Sequence, residues 1–219
     1  MRFNRLSAPA HACGLSSTVF VGIYWLANRL TQLRSDIGST VFDWERAIPF
    51  VAWTIVPYLS ICGFFLMSFF VGRDPIELRR HVARLALVLL ISVVCYAMFP
   101  LRFTFERPAV DGMFGPLYGA LAAFDLPYNR APSLHVAVLV VLWARWGSHL
   151  NRVQRACLGS WFLLIGVSVL TTYQHHVIDV LAGLALGAAA VALTSSSSRA
   201  QTSTNGEFSK DVLRRRKNS

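Results

Sequence analysis

Charged residues are scarce in this 219-residue chain. They make up 15% of it, while hydrophobic residues reach 54%; a typical soluble domain carries about 25% charged residues. That balance excludes a disordered chain and argues against an ordinary soluble enzyme. Acidic residues are the scarcer sign, 11 against 21 Lys and Arg, for a net charge of +10. Paired cysteines are also missing. Cys13, Cys62, Cys95 and Cys157 form no Cys-x-x-Cys, and no spaced histidines accompany them. This excludes a zinc module and leaves each thiol as a small hydrophobe inside an apolar run. No acidic triad offers a metal site, no cofactor is implied, and no internal repeat is visible.

What is present is a set of long uncharged runs. A membrane-spanning helix needs roughly 20 mostly apolar residues. Six stretches fit: Ala8–Asn28, Ala47–Gly72, Leu85–Leu101, Pro132–Leu150, Ala156–Thr172 and His176–Thr194. The fourth requires Arg145 to snorkel toward the interface. The first follows Arg2 and Arg5 as a signal peptide would, but no small-x-small cleavage site follows its apolar core. The expected fold is therefore an all-α integral membrane bundle of six transmembrane helices over 1–194. A disordered basic tail over 195–219 ends in Arg214-Arg215-Arg216-Lys217.

The basic residues set the orientation. Six crossings put 15 of the 21 Lys and Arg on the side that holds both termini. That side is expected to be cytoplasmic, in a multi-pass protein of the cell membrane. The basic excess is thus an orientation signal, and nucleic acid is not needed as a partner. The tail could also hold anionic headgroups, at about 1 kcal/mol per basic residue near the surface.

Three segments fall on the outer side. Arg102-Phe103-Thr104-Phe105-Glu106-Arg107-Pro108 carries two guanidinium forks suited to phosphate, although Arg beside Phe also suits plain interface anchoring. Arg130-Ala131-Pro132-Ser133-Leu134-His135 opens the fourth helix, where free N–H groups and the helix dipole favour an anion; an ordinary Ser cap is the plain alternative. Gln174-His175-His176-Val177-Ile178-Asp179 opens the sixth. His175 and Asp179 are four apart and share a helix face. A carboxylate holding Nδ1–H leaves Nε2 with its lone pair, which makes the imidazole an oriented nucleophile or base. An Asp one turn into a span needs such a partner. His176 reads as a plain interface residue. Two histidines among several arginines suit phosphoryl transfer, with one attacking phosphorus and the other protonating the leaving oxygen.

These segments resemble the type 2 phosphatidic acid phosphatase superfamily, whose motifs are Lys-x6-Arg-Pro, Pro-Ser-x-His and Ser-Arg-x5-His-x3-Asp. Arg107-Pro108, Pro132-Ser133-Leu134-His135 and His175-x3-Asp179 match in that order. The first motif's Lys falls on Pro100, with Arg102 as a substitute, and the third motif's Arg falls on Val169. Similar losses, and segments such as Asp43-Trp44-Glu45 and Ile48-Pro49-Phe50, resemble the branch of inositol phosphorylceramide synthases and related bacterial membrane proteins. The resemblance implies His175 as nucleophile through a phosphohistidine, Asp179 as its orienting partner and His135 as general acid. It also implies phosphate binding by Ser133 and Arg107. Arg102 and Arg130 are added to the phosphate-binding set on charge and position alone. The implied activity is a membrane phosphatase acting on a lipid phosphate at the outer face. The alternatives are a phosphotransferase to a lipid or sugar hydroxyl, a non-catalytic membrane protein, and a soluble-type vanadate haloperoxidase, which the apolar runs disfavour.

Overall fold

The computed structural model describes residues 7–195. Apart from Ser195, the basic tail expected over 195–219 lies outside them. The described residues fold into seven α-helices and no named strand: α1 Ser7–Gln32, α2 Ile55–Ser68, α3 Pro75–Met98, α4 Gly115–Phe124, α5 Leu134–Trp146, α6 Arg152–Thr171 and α7 Val177–Ser195. α1, α3, α6 and α7 are long and apolar enough to cross a membrane.

A helix lies within each of the six expected stretches, but α2, of 14 residues, and α5, of 13, are shorter than the roughly 20 residues of a full span, and three further differences stand out. α3 begins at Pro75, well before Leu85, because Asp74 caps it. Its carboxylate accepts the Ile76 N–H at 2.9 Å, and Pro75 takes the first-turn position where a missing N–H costs nothing. The basic stretch to Arg84 is therefore helical rather than a loop. The expected outer loop 102–130 contains α4, an apolar helix of 10 residues, about 15 Å long and too short to span. Arg145 does not snorkel. Its side chain is buried, bonded to Glu77 Oε2 at 3.0 Å, to Ser68 O at 3.3 Å and to the Val71 carbonyl. A guanidinium with that many acceptors gains more from them than from reaching water.

α5 is the axis of the bundle. Val136, Ala137, Val138, Leu139, Val141 and Leu142 are all buried, so apolar residues surround it on every side, as expected of a helix enclosed by others. It packs on α2, α3 and α6. α7 also approaches it closely. A Cβ at Gly183 would lie 2.5 Å from the Ser133 carbonyl oxygen, and one at Gly187 would lie 2.7 Å from Val140 Cβ. The Gly-x3-Gly spacing puts both glycines on one face and lets the backbones meet. The main core fills the space with Leu85, Val88, Leu89, Leu142, Phe162 and Ile165.

The two ends of the bundle differ. One is closed by a polar cluster. Ser68 Oγ meets His81 Nε2 at 2.7 Å, Glu77 meets His149 at 3.0 Å, and Arg84 donates to Thr194 Oγ1 at 2.8 Å. At the other end the segments around 43–54, 101–130 and 171–179 interlock, and all three candidate segments are there. Val51 N–H donates to Thr171 O at 2.9 Å, Phe103 N–H to Pro127 O at 3.1 Å and Ser133 N–H to Asp179 O at 2.9 Å.

Candidate active site

The site is built around the start of α7. α6 ends at Thr171, and the corner turns through Tyr173, whose φ of 54° lies in the left-handed region. A bulky residue enters that region only when its surroundings hold it there. Here the Tyr173 hydroxyl donates to Ile48 O at 3.0 Å and its carbonyl accepts from Arg107 Nη2 at 3.2 Å. His175, His176 and Asp179 follow, all buried.

Asp179 reaches back over the first turn of α7. Its Oδ2 accepts the His176 N–H at 2.8 Å, the capping geometry expected of an acidic residue at a helix start. The same oxygen is 3.5 Å from His175 Nδ1. That is an ion-pair contact longer than a good hydrogen bond, and Nδ1 has no hydrogen-bond partner. His175 lies ahead of α7, so the pair is brought together by Asp179 folding back over the first turn and not by the shared helix face expected from the spacing.

α5 brings the second histidine. Ser133 caps the helix, its Oγ accepting the Val136 N–H at 3.4 Å. It is fully buried against α7 beside Gly183, so the plain capping role is present. His135, in the first turn, has a buried Nε2 without a hydrogen-bond partner. His135 and His175 line the same cavity of about 420 Å³. The rest of its wall is almost wholly apolar: Phe20 and Val21 from α1, Leu59, Phe65 and Leu66 from α2, and Val138 from α5.

The arginines divide. Arg107 is half-buried, with its guanidinium 5.6 Å from the Tyr118 ring centroid and its Nε without a partner. Among the described residues no carboxylate lies within ion-pair distance of it. Burial, and then the Arg130 cation nearby, hold its pKa below the usual arginine value. A partly desolvated cation without a counter-ion is a ready partner for an anion. Arg130 is buried and already engaged. Nη1 lies 3.6 Å from Asp125 Oδ2 and donates to Gln174 O at 2.8 Å, and Nη2 donates to Leu126 O at 2.7 Å. Arg102 is exposed; its backbone N–H donates to Gly38 O at 2.9 Å, and it bridges Tyr128.

Two acidic residues at the site were not anticipated. Asp125 lines the cavity, accepts the Tyr24 hydroxyl at 2.6 Å and balances Arg130. With the Gln174 amide turned so that Nε2 donates to Asp125 Oδ2 at 3.1 Å, its Oε1 faces the Arg107 guanidinium. Glu45 is buried against His176, with Oε2 3.1 Å from Nδ1. His176 is therefore a buried, paired imidazole and not the interface residue its neighbours in sequence suggest. Asp125 carries no local sequence signal, and Glu45 stands out in the sequence only within Asp43-Trp44-Glu45, with nothing to mark it as the partner of a histidine far along the chain.

No curated protein matches the chain. The profile of the PAP2 superfamily matches residues 81–203, more than half of the sequence and the stretch that holds Arg107, Ser133, His135, His175 and Asp179. The chain belongs to the PAP2 superfamily.

Proposed function

We propose that the chain is an integral membrane phosphatase acting on a lipid phosphate through a phosphohistidine, with six spans and its active site at the outer face. One observation carries the reading: His135 and His175 line one cavity together with Asp125, and the rest of its wall is mostly apolar, much of it borne by α1 and α2. A phosphate at the histidines would have its alkyl chain in that cavity.

The chemistry follows from the side chains. Arg107 would take the phosphate oxygens, with the Ser133 hydroxyl as a further donor. The His175 Nε2 lone pair attacks phosphorus. The N–P bond forms, the P–O bond to the lipid breaks, and His135 gives its proton to the departing oxygen. Water then attacks phosphorus, the N–P bond breaks, and His135 takes a proton back. The Nδ1–H of His175 gains positive character as Nε2 bonds phosphorus. A closure of a few tenths of an ångström would turn its contact with Asp179 into a full hydrogen bond, a tightening common when substrate binds.

The phosphotransferase reading replaces the water by an alcohol. It is favoured by Pro100 and Val169 standing where the family pattern has cations. Fewer cations suit a phosphodiester, with its single negative charge, better than a dianionic monoester.

Radiolabelled lipid phosphates and phosphodiesters, offered to the detergent-purified protein in EDTA, test both readings. A covalent label that survives alkali and is lost in acid, and that is absent in His175→Ala, is expected. Release of inorganic phosphate marks the phosphatase, and transfer to added alcohol marks the transferase. Turnover without any covalent label would remove the phosphohistidine, and no turnover on any substrate would favour a non-catalytic protein.

A further inference from the structure

The mechanism above leaves one buried pair unused. His176 lies between two segments distant in sequence. On one side, Glu45 Oε2 is 3.1 Å from its Nδ1 and also accepts the Val177 N–H at 2.9 Å. The other oxygen of Glu45 accepts the Phe42 N–H at 3.0 Å. On the other side, His176 Nε2 is 3.4 Å from the Thr104 amide nitrogen and 3.2 Å from its hydroxyl. The amide N–H can only donate, so Nε2 accepts and the ring proton sits on Nδ1, facing Glu45. The imidazole is also clasped by rings. Phe103 stacks on it at 4.4 Å and Phe105 meets it edge-on at 4.9 Å.

Thr104 is three residues from Arg107, and Arg107 itself donates to the Tyr173 carbonyl on the other flank of the same corner. The loop that carries the free cation is therefore wrapped around the start of α7, with His176 as its inner post. We propose that His176, fixed by Glu45, is a positioning residue of the phosphoryl-transfer site. It holds the 103–107 loop so that Arg107 meets the phosphate bound at His175. The inference rests on the reading of Arg107 and His175 as phosphate site and nucleophile. A guanidinium on a loop is only as well aimed as the loop is held.

The test is a coupling measurement on the full chain in detergent, with vanadate as the probe of phosphate affinity. His176→Asn keeps a donor toward Glu45 but does not reach Thr104. It should weaken vanadate inhibition and raise KM about two- to tenfold, the worth of one hydrogen bond. The loss should be alike on good and poor leaving groups, and a modest fall in Tm from the lost ring contacts with Phe103 and Phe105 is expected beside it. In an Arg107→Ala background the same substitution should add almost nothing, because it acts through Arg107. Thr104→Ala, at an exposed position that leaves the fold intact, should show a smaller loss with the same coupling. Unchanged vanadate affinity in both variants overturns the inference, as does a loss that persists in full without Arg107. A wild-type protein with no vanadate-sensitive turnover is a different failure, that of the proposed function itself.

Discussion

The ring of Tyr58 lies on the imidazole of His135, their centroids 4.2 Å apart and their planes 17° from parallel. Tyr58 comes from α2 and His135 from α5, so an inter-helix contact sets the plane of the proposed general acid. Its partnerless Nε2 depends on that plane for its aim.

Replacing Tyr58 with Leu keeps apolar bulk and removes the stack. An aromatic pair is worth about 0.5–1.5 kcal/mol beyond its burial, so kcat on a poor leaving group should fall about two- to tenfold. On p-nitrophenyl phosphate, which needs little protonation, the fall should be smaller. An equal fall on both substrates would detach Tyr58 from the acid.

The two histidines are separable by leaving group. His175→Ala should leave no turnover with any substrate. His135→Ala removes general acid catalysis, typically worth about 10²–10⁴ in rate, and should recover on activated substrates. Asp179→Asn retains an oxygen to cap the His176 N–H, so it should fold normally, yet lose most activity through the missing charge at Nδ1. Recovery of His175→Ala but not His135→Ala on p-nitrophenyl phosphate would exchange the two roles.

Gly183→Ala and Gly187→Ala test the contact between α5 and α7. Each new methyl would meet backbone or Cβ atoms under 3.0 Å away, and overpacking of this kind costs about 1–3 kcal/mol. Both should lower Tm. Gly183→Ala should also lower activity, because it pushes Ser133 from the α7 turn that carries Asp179. Gly22→Ala, with open space around it, is the control. A Gly183→Ala protein with native Tm and activity would show that α5 and α7 need not touch.

The orientation is tested with an impermeant thiol reagent on intact cells, after the four native cysteines are replaced by alanine. Met113→Cys, just before α4, should label from outside. Val153→Cys, at the start of α6, should label only after permeabilisation. Both positions are highly exposed. The reverse pattern would put the site on the cytoplasmic face.

The features readable in the sequence were those set by local spacing. The Ser133 cap, the six apolar runs and the closeness of His175 to Asp179 follow from neighbours near in sequence, although His175 lies ahead of α7 and not on its face. The early start of α3 was equally local, in Asp74-Pro75, but basic residues beyond it gave the appearance of a loop. Partners separated by long stretches of chain were not readable. Glu45 and His176 stand 131 positions apart, and only the folded corner makes them a pair. Arg130 has its counter-ion, Asp125, only five positions away, but nothing in the sequence marks the two as a pair. Arg145 looked like a snorkelling residue because its acceptors on α2 and α3 could not be seen along its own helix.

The cavity joins two kinds of surface, and they discriminate differently. At the histidine end every contact is directional, through hydrogen bonds and charges whose worth falls within a few tenths of an ångström. Along α1 and α2 the wall is hydrocarbon and aromatic ring, and apolar attraction has no preferred angle. Such a site would be exacting about the headgroup and tolerant about the tail. A series of substrates sharing one phosphate but differing in chain length or unsaturation would then be processed at similar rates. A change of a single oxygen around phosphorus would not be forgiven.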